Sequence, residues 1–94
     1  MHLPAHVVAV DEALGEVPKG HWTTYGDLAE VAGTGARVVG SLMASGDFEL
    51  AHRVLKADGR PSTVFGDEQR RLLEAEGVPF DDLGRADPST RHQY

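Results

Sequence analysis

The chain has 94 residues, no cysteine and a formal net charge of −6 from nine basic and fifteen acidic residues. That length bounds it to one small domain whose core must be used fully. The missing cysteines exclude disulfides, thiolate zinc sites and any cysteine nucleophile, and the acidity excludes a uniformly basic surface for unspecific nucleic-acid binding. No apolar run approaches the roughly 20 residues a bilayer helix needs. The start, MHLPAHVVAVDEALG, lacks a basic segment followed by a long apolar one. A cytoplasmic protein, nucleoid-associated in a bacterium, is the expectation.

In chain order, PAHVVAVDEALGEV places Val7, Val10, Leu14 and Val17 at helical spacing, with Pro4 suited to a first turn. Pro18-Lys19-Gly20 breaks that pattern. TTYGDLAEVAG reads as a second helix, with Thr23 or Thr24 as cap, Asp27 in the first turn and Gly33 at the end. GARVVGSLMAS reads as a third, whose apolar stripe is drawn from Val38, Leu42, Val39 and Met43 while Arg37 and Ser41 lie off it. Two short helices joined by Gly-Thr-Gly are the pattern of a helix-turn-helix.

The loop GDFELAHR and an extended piece, VLKADGRPS, come next. Asp58-Gly59 suits a tight turn or small hairpin at the wing position of a winged helix. GDEQRRLLEAEG reads as a fourth helix with acids at its start, Leu72 and Leu73 inward and Gly77 at its end. Its Glu68, Glu74 and Glu76 most simply form a solvated face with Arg70 and Arg71. RADPSTRHQY, and with it residues 84–94, is expected to be a loosely held tail. The fold class expected is mainly α with a small β element, in one winged helix-turn-helix-like domain over residues 1–94.

The distribution of charge says more than its sum. Residues 35–60 hold four basic residues, Arg37, Arg53, Lys56 and Arg60, against three acids, so the acidic excess lies elsewhere. Arg37 stands in the first turn of the third helix, where such helices touch nucleic acid, though a surface arginine paired with an acid has the same position. Gly40 and Ala44 follow on the same face. They allow either close approach of a sugar-phosphate chain or plain helix packing. Tyr25 opens the second helix, to meet a ribose or phosphate or to sit half-buried in the core. His52 has no second histidine or cysteine at ligand spacing, so neither metal nor cofactor is expected. Ser41, Ser45 and Ser62 lack a nucleophile-elbow context, which leaves a hydrolase built on His52 without specific support. His2, His6, His21 and His92 read as surface residues.

Four segments in order complete this reading: VPKGHWTTYGDLA, ARVVGSLM, LAHRV and EQRRLLEAEGV. Together they resemble the DNA-binding domain of the O6-alkylguanine-DNA alkyltransferases, and more closely their non-enzymatic relatives, the alkyltransferase-like proteins. The resemblance covers about residues 4–80 and implies a role for each matching position. Arg37 matches the arginine that fills the gap left by an extruded nucleotide, and Tyr25 the tyrosine that presses on the neighbouring phosphate. Gly40, Ser41 and Ala44 fall on the DNA face of the same recognition helix. Ala51 stands where the enzymes carry the alkyl-accepting cysteine. His52 and Glu76 match the pair that activates that cysteine through water, and Arg53 matches the arginine that braces the loop.

The implied lesion pocket comprises Tyr25, Ala51, His52, Arg53 and Val54, with Leu55 beside them and Glu76 in support. Leu50 replaces the enzymes' proline, and TVFGDEQ lacks the basic residues their base-contacting loop carries. The resemblance thus implies a monomeric protein that binds double-stranded DNA containing O6-alkylguanine from the minor groove and transfers nothing. It also implies nucleotide excision repair proteins as partners. A winged-helix DNA-binding or protein-interaction module without lesion recognition is the alternative.

Overall fold

In the computed structural model, which describes residues 4–63 and 65–94, the chain forms four α-helices and a two-stranded sheet. Helix α1 (Ala5–Gly15) begins after Pro4, whose fixed φ suits the entry to a helix, and turns Val10, Ala13 and Leu14 inward. Helix α2 (Tyr25–Ala32) is capped by the Thr24 hydroxyl, which accepts from the Asp27 amide, and ends on Gly33 in the left-handed region at φ 73°. Three residues later helix α3 (Ala36–Ala44) begins. Helices α1, α2 and α3 pack on one another around Leu14, Val17, Leu28, Val39 and Val54. This is the helix-turn-helix expected from the Gly-Thr-Gly joint.

The apolar stripe of α3 is Val39 and Met43. Leu42 packs against the core from its edge, whereas Val38 is 36% exposed and leaves the stripe. A helix turns 100° per residue, so Val38 and Val39 cannot both face one core.

Strand β1 (Thr23–Thr24) pairs with strand β2 (Val54–Leu55) in parallel, Thr23 opposite Val54 and Thr24 opposite Leu55. Side chains alternate across this ribbon, so Val54 enters the α1–α3 core while Leu55 joins a second cluster with Trp22, Leu73, Val78 and Ala86. Of the tight turn or small hairpin expected at Asp58-Gly59, the structure has the tight turn. Lys56 to Arg60 do form a tight turn, closed by Gly59 N–H to the Lys56 carbonyl at 2.8 Å and Lys56 N–H to the Arg60 carbonyl at 3.0 Å. No named strand follows that turn among the described residues, and the partner of β2 is the distant β1. Helix α4 (Gly66–Ala75) then lays Leu73 and Gln69 inward.

The loosely held tail is also corrected. Trp22 N–H donates to the Thr90 carbonyl, and His92 N–H returns to the Trp22 carbonyl at 2.7 Å. The Trp22 indole N–H donates to the Asp87 carbonyl and to the Thr90 hydroxyl. Arg91 holds Asp27 at 2.6 Å, and the Tyr94 hydroxyl donates to the Ala13 carbonyl. A buried indole needs an acceptor for its N–H, and the tail supplies it. Truncation after Ala86 is therefore expected to lower stability by at least about 2 kcal/mol, the cost of orphaning that N–H and opening the Trp22 cluster. Chemical denaturation of the truncated chain checks this, and an unchanged midpoint would return the tail to ornament.

Of the histidines expected at the surface, His6 is exposed, His21 and His92 are half-buried, and His2 lies outside the described residues. No helix among the described residues is long and apolar enough to cross a membrane.

Candidate nucleic-acid interface

The helix-turn-helix, the loop after it and α4 enclose a cavity of about 480 Å³. That volume suits one small ligand or base. Tyr25 borders it from the start of α2, Gly40 and Ala44 from α3, Ala51 and His52 from the loop, and Gln69 and Leu72 from α4. Tyr25, Ala51 and His52 are residues expected at a pocket, whereas Gly40 and Ala44 were expected only on the DNA face of α3. The space at Ala51 is not filled by the protein's own side chains, and a methyl group is all the chain presents there.

Residue 51 opens a single 3₁₀ turn (Ala51–Arg53) that leads straight into β2. The turn is fixed from beneath. His52 Nε2 donates to Glu76 Oε2 at 2.7 Å, while Arg53 reaches the same carboxylate through Nε at 3.0 Å and Nη2 at 2.9 Å. Arg53 Nη1 donates to the Val17 carbonyl at 2.9 Å, tying the loop to the end of α1. Gly20 adds its backbone N–H to Glu76 Oε1 at 3.4 Å. Its φ of +85°, with the Glu76 carbonyl 3.2 Å from where a Cβ would stand, makes glycine the residue that fits there.

Glu76 therefore belongs to this cluster and not to the solvated face of α4. Its neighbours Glu68 and Glu74 do pair outside with Arg71 and Arg70. Partial burial alone would raise the Glu76 pKa, but the hydrogen bonds from Arg53, His52 and Gly20, with the charge of His52, outweigh it and bring it to about 2. The side chains of His52 and Glu76 are each 13% exposed, so this is a nearly buried, hydrogen-bonded cluster.

Two residues expected in the pocket are elsewhere. Val54 is fully buried in the α1–α3 core, and Arg53 lies behind the loop on Glu76 and Val17. Leu55 is buried on the far side of the ribbon. The inward step of β2 explains all three, because the loop becomes a core strand immediately after Arg53. The cavity is completed by residues that sequence reasoning passed over as site residues, among them Phe48, Glu49, Phe65 and Gln69. Gln69 is a clamp: its side-chain amide donates to the Val54 carbonyl at 2.6 Å and its Oε1 accepts from the Ser62 amide at 2.8 Å. Its position four residues before the inward Leu73, on one face of a charged helix, was the available signal.

Tyr25 is half-buried, and burial raises the pKa of its phenol, which keeps the hydroxyl protonated at the cavity edge. Arg37 and Ser41 are exposed on α3, on the stripe that carries Gly40 and Ala44. Arg37 makes no ion pair or hydrogen bond among the described residues, so the paired-surface alternative is not what is seen. No group of metal-ligating side chains gathers among the described residues.

A family model described as the DNA-binding domain of 6-O-methylguanine DNA methyltransferase matches residues 6–78. A methylated-DNA–protein-cysteine methyltransferase of Methanopyrus kandleri is 44% identical over 71 residues, covering 71% of this chain and 54% of that protein. A DNA base-flipping protein of Escherichia coli is 36% identical over 83 residues, covering 81% of this chain and 64% of that protein. The chain thus spans little more than half to just under two thirds of these relatives. Among solved structures, S. pombe Atl1 in complex with damaged DNA containing O6-carboxymethylguanine superposes with a TM-score of 0.81 at 28% identity, covering 100% of both chains. On the match of fold, motif order and sequence together, the chain belongs to the family of the 6-O-methylguanine DNA methyltransferase DNA-binding domain.

Proposed function

We propose that this chain is a non-enzymatic reader of O6-alkylguanine in duplex DNA. The observation that carries the reading is the open cavity beside α3 with a methyl group at residue 51. Alkyl transfer needs a thiolate, and the chain has no cysteine. The rest of the thiol-activating arrangement, His52 on Glu76, persists as the brace that holds the loop. Removing the sulfur leaves room for an alkyl group that arrives and stays on its guanine.

Turning a base out of the duplex costs a few kcal/mol, least for a base that pairs poorly, and O6 alkylation weakens pairing with cytosine. Arg37 entering the vacated stack from the minor groove offsets part of that cost. Burial of the alkyl group adds about 0.8 kcal/mol per methylene. The acidic surface keeps binding to undamaged DNA weak, so discrimination rests on the pocket. The E. coli base-flipping relative and the Atl1 complex with damaged DNA support this reading. A protein that binds the lesion without removing it must hand the site on, and nucleotide excision repair proteins are the partners proposed.

The test is direct. Duplexes with and without a single O6-methylguanine, compared by fluorescence anisotropy at low salt, should differ at least tenfold in affinity. A labelled O6-alkyl group should stay on the DNA. Equal affinities, or label on the protein, would reject the reading.

Gly40 separates binding from stability. A Cβ there meets nothing within 4 Å, so the backbone leaves space on the DNA side of α3. Gly40→Ala in the middle of a helix is expected to raise stability by about 0.5–1 kcal/mol. The same methyl group should weaken lesion binding by narrowing the approach of the sugar-phosphate chain. Thermal melting and anisotropy on one preparation check both signs.

A further inference from the structure

We propose that Val38 is the contact to the undamaged strand, an apolar grip beside Arg37 that works without charge, an inference that rests on the reading of the cavity as the seat of a flipped O6-alkylguanine. Val38, Val39 and Gly40 follow one another on α3 and point three ways, since a helix turns about 100° per residue. Val39 is fully buried in the core. Gly40 borders the cavity, with Met43 and Ala44 of the next turn. Val38 stands about 200° round the helix from Gly40, on the flank away from the cavity. Arg37 and Ser41, both exposed, form the crest between the two flanks.

The two flanks face different strands. A base that enters the cavity comes from the strand on the cavity side of α3, so a duplex seated on the crest lays its other strand along Val38. That flank offers little else. Val38 is 36% exposed, and among the described residues it is the one large apolar side chain that α3 leaves to solvent. Ser45, two turns on along the same line, is committed. Its hydroxyl donates to the Leu42 carbonyl at 2.6 Å and accepts from the Asp47 amide at 3.2 Å. Gly33, Thr34 and Gly35, which lead into α3, carry no charge.

A valine at this position costs the free chain helix propensity relative to alanine and brings the core nothing. What it can meet is a sugar. Deoxyribose rings wall the minor groove, and their carbon edges gain from leaving water together with an isopropyl group. A β-branched side chain holds one favoured rotamer on a helix, so it loses little freedom on contact. Arg37 and Val38 then divide the work. The guanidinium fills the gap, and the isopropyl group steadies the strand whose base has lost its partner.

The probes are two duplexes, each with one O6-methylguanine. One has an intact complement. In the other, the nucleotides opposite the lesion and on either side of that position are replaced by propanediol phosphate linkers, which keep the charges and remove the rings. On the intact duplex Val38→Ala should bind about three- to tenfold more weakly than wild type, the scale of one aliphatic side chain returned to water, with an unchanged salt dependence. On the linker duplex the two proteins should bind alike. Thermal melting should show the variant at least as stable as wild type. Equal loss on both duplexes, no loss on either, or a variant that melts well below wild type would overturn the assignment of Val38 to the second strand. If wild type itself does not prefer the intact damaged duplex to an undamaged one, the lesion reading fails first and this inference with it.

Discussion

Glu76→Ala is expected to destabilise the chain by about 3–4 kcal/mol, the cost of breaking a nearly buried ion pair and leaving its partner charge in place. Three groups lose their acceptor at once: Arg53, His52 and the Gly20 N–H. A domain of this size holds about 5–15 kcal/mol in total, so the loss is a large fraction of what keeps it folded. Urea denaturation gives the value directly. Glu76→Gln, which keeps one acceptor oxygen, should recover part of it. A loss below about 1 kcal/mol would mean that the cluster contributes no more than an exposed pair.

The same carboxylate sets the response to acid. Its native pKa of about 2 lies below its ordinary 4.5, so the unfolded chain takes up a proton at a pH where the folded chain still refuses it. Its stabilisation is complete above pH 4.5 and declines as pH falls toward 2. Across that window wild type should lose roughly 2 kcal/mol more than Glu76→Gln, which has nothing to titrate there. Parallel stability curves for the two proteins would remove Glu76 from the acid response.

Arg37→Ala is the second large effect. Affinity for an O6-methylguanine duplex should fall at least tenfold, about 1.4 kcal/mol, with the fold unchanged because the side chain is exposed and unbonded among the described residues. The kind of loss matters as much as its size. An arginine that only neutralises a phosphate would weaken damaged and undamaged duplexes alike and lower the salt dependence by about one ion. An arginine that fills the gap behind a flipped base should cost the damaged duplex more, so that the ratio between the two also shrinks. Uniform weakening would demote Arg37 to a backbone contact.

How far the sequence reveals the molecule depends on whether a feature is local. Thr24 as cap, Gly33 as terminator and the Gly-Thr-Gly joint act within one helical turn, and each is legible as such. The choice of Val39 over Val38 is not, since both are apolar neighbours and only the position of α1 and α2 decides between them. The parallel ribbon joins residues 23–24 to 54–55, and no short-range signal announces so distant a pairing. The ordered tail is the same kind of miss. RADPSTRHQY is polar and turn-rich, and its place is set by the indole of Trp22, which needs an acceptor from outside its own neighbourhood.

The site divides along the same line. Tyr25, Ala51 and His52 reach the cavity as their motifs suggest, and Gly40 and Ala44, expected only on the DNA face, border it as well. Val54 and Arg53 do not, because the chain turns inward after His52 to become strand and brace. The wall of Phe48, Glu49 and Phe65 comes from stretches outside the four motifs, and only the closing of α4 over the loop brings them together.

The central claim is that a damaged guanine leaves the helix and enters the hollow at Ala51. Fluorescence of a 2-aminopurine placed beside O6-methylguanine tests it most directly, since loss of a stacked neighbour brightens that probe. Saturating protein should raise the signal severalfold on the damaged duplex and leave the undamaged duplex unchanged. Tight binding to the damaged duplex with no change in fluorescence would contradict the account, because the lesion would then be held without being turned out.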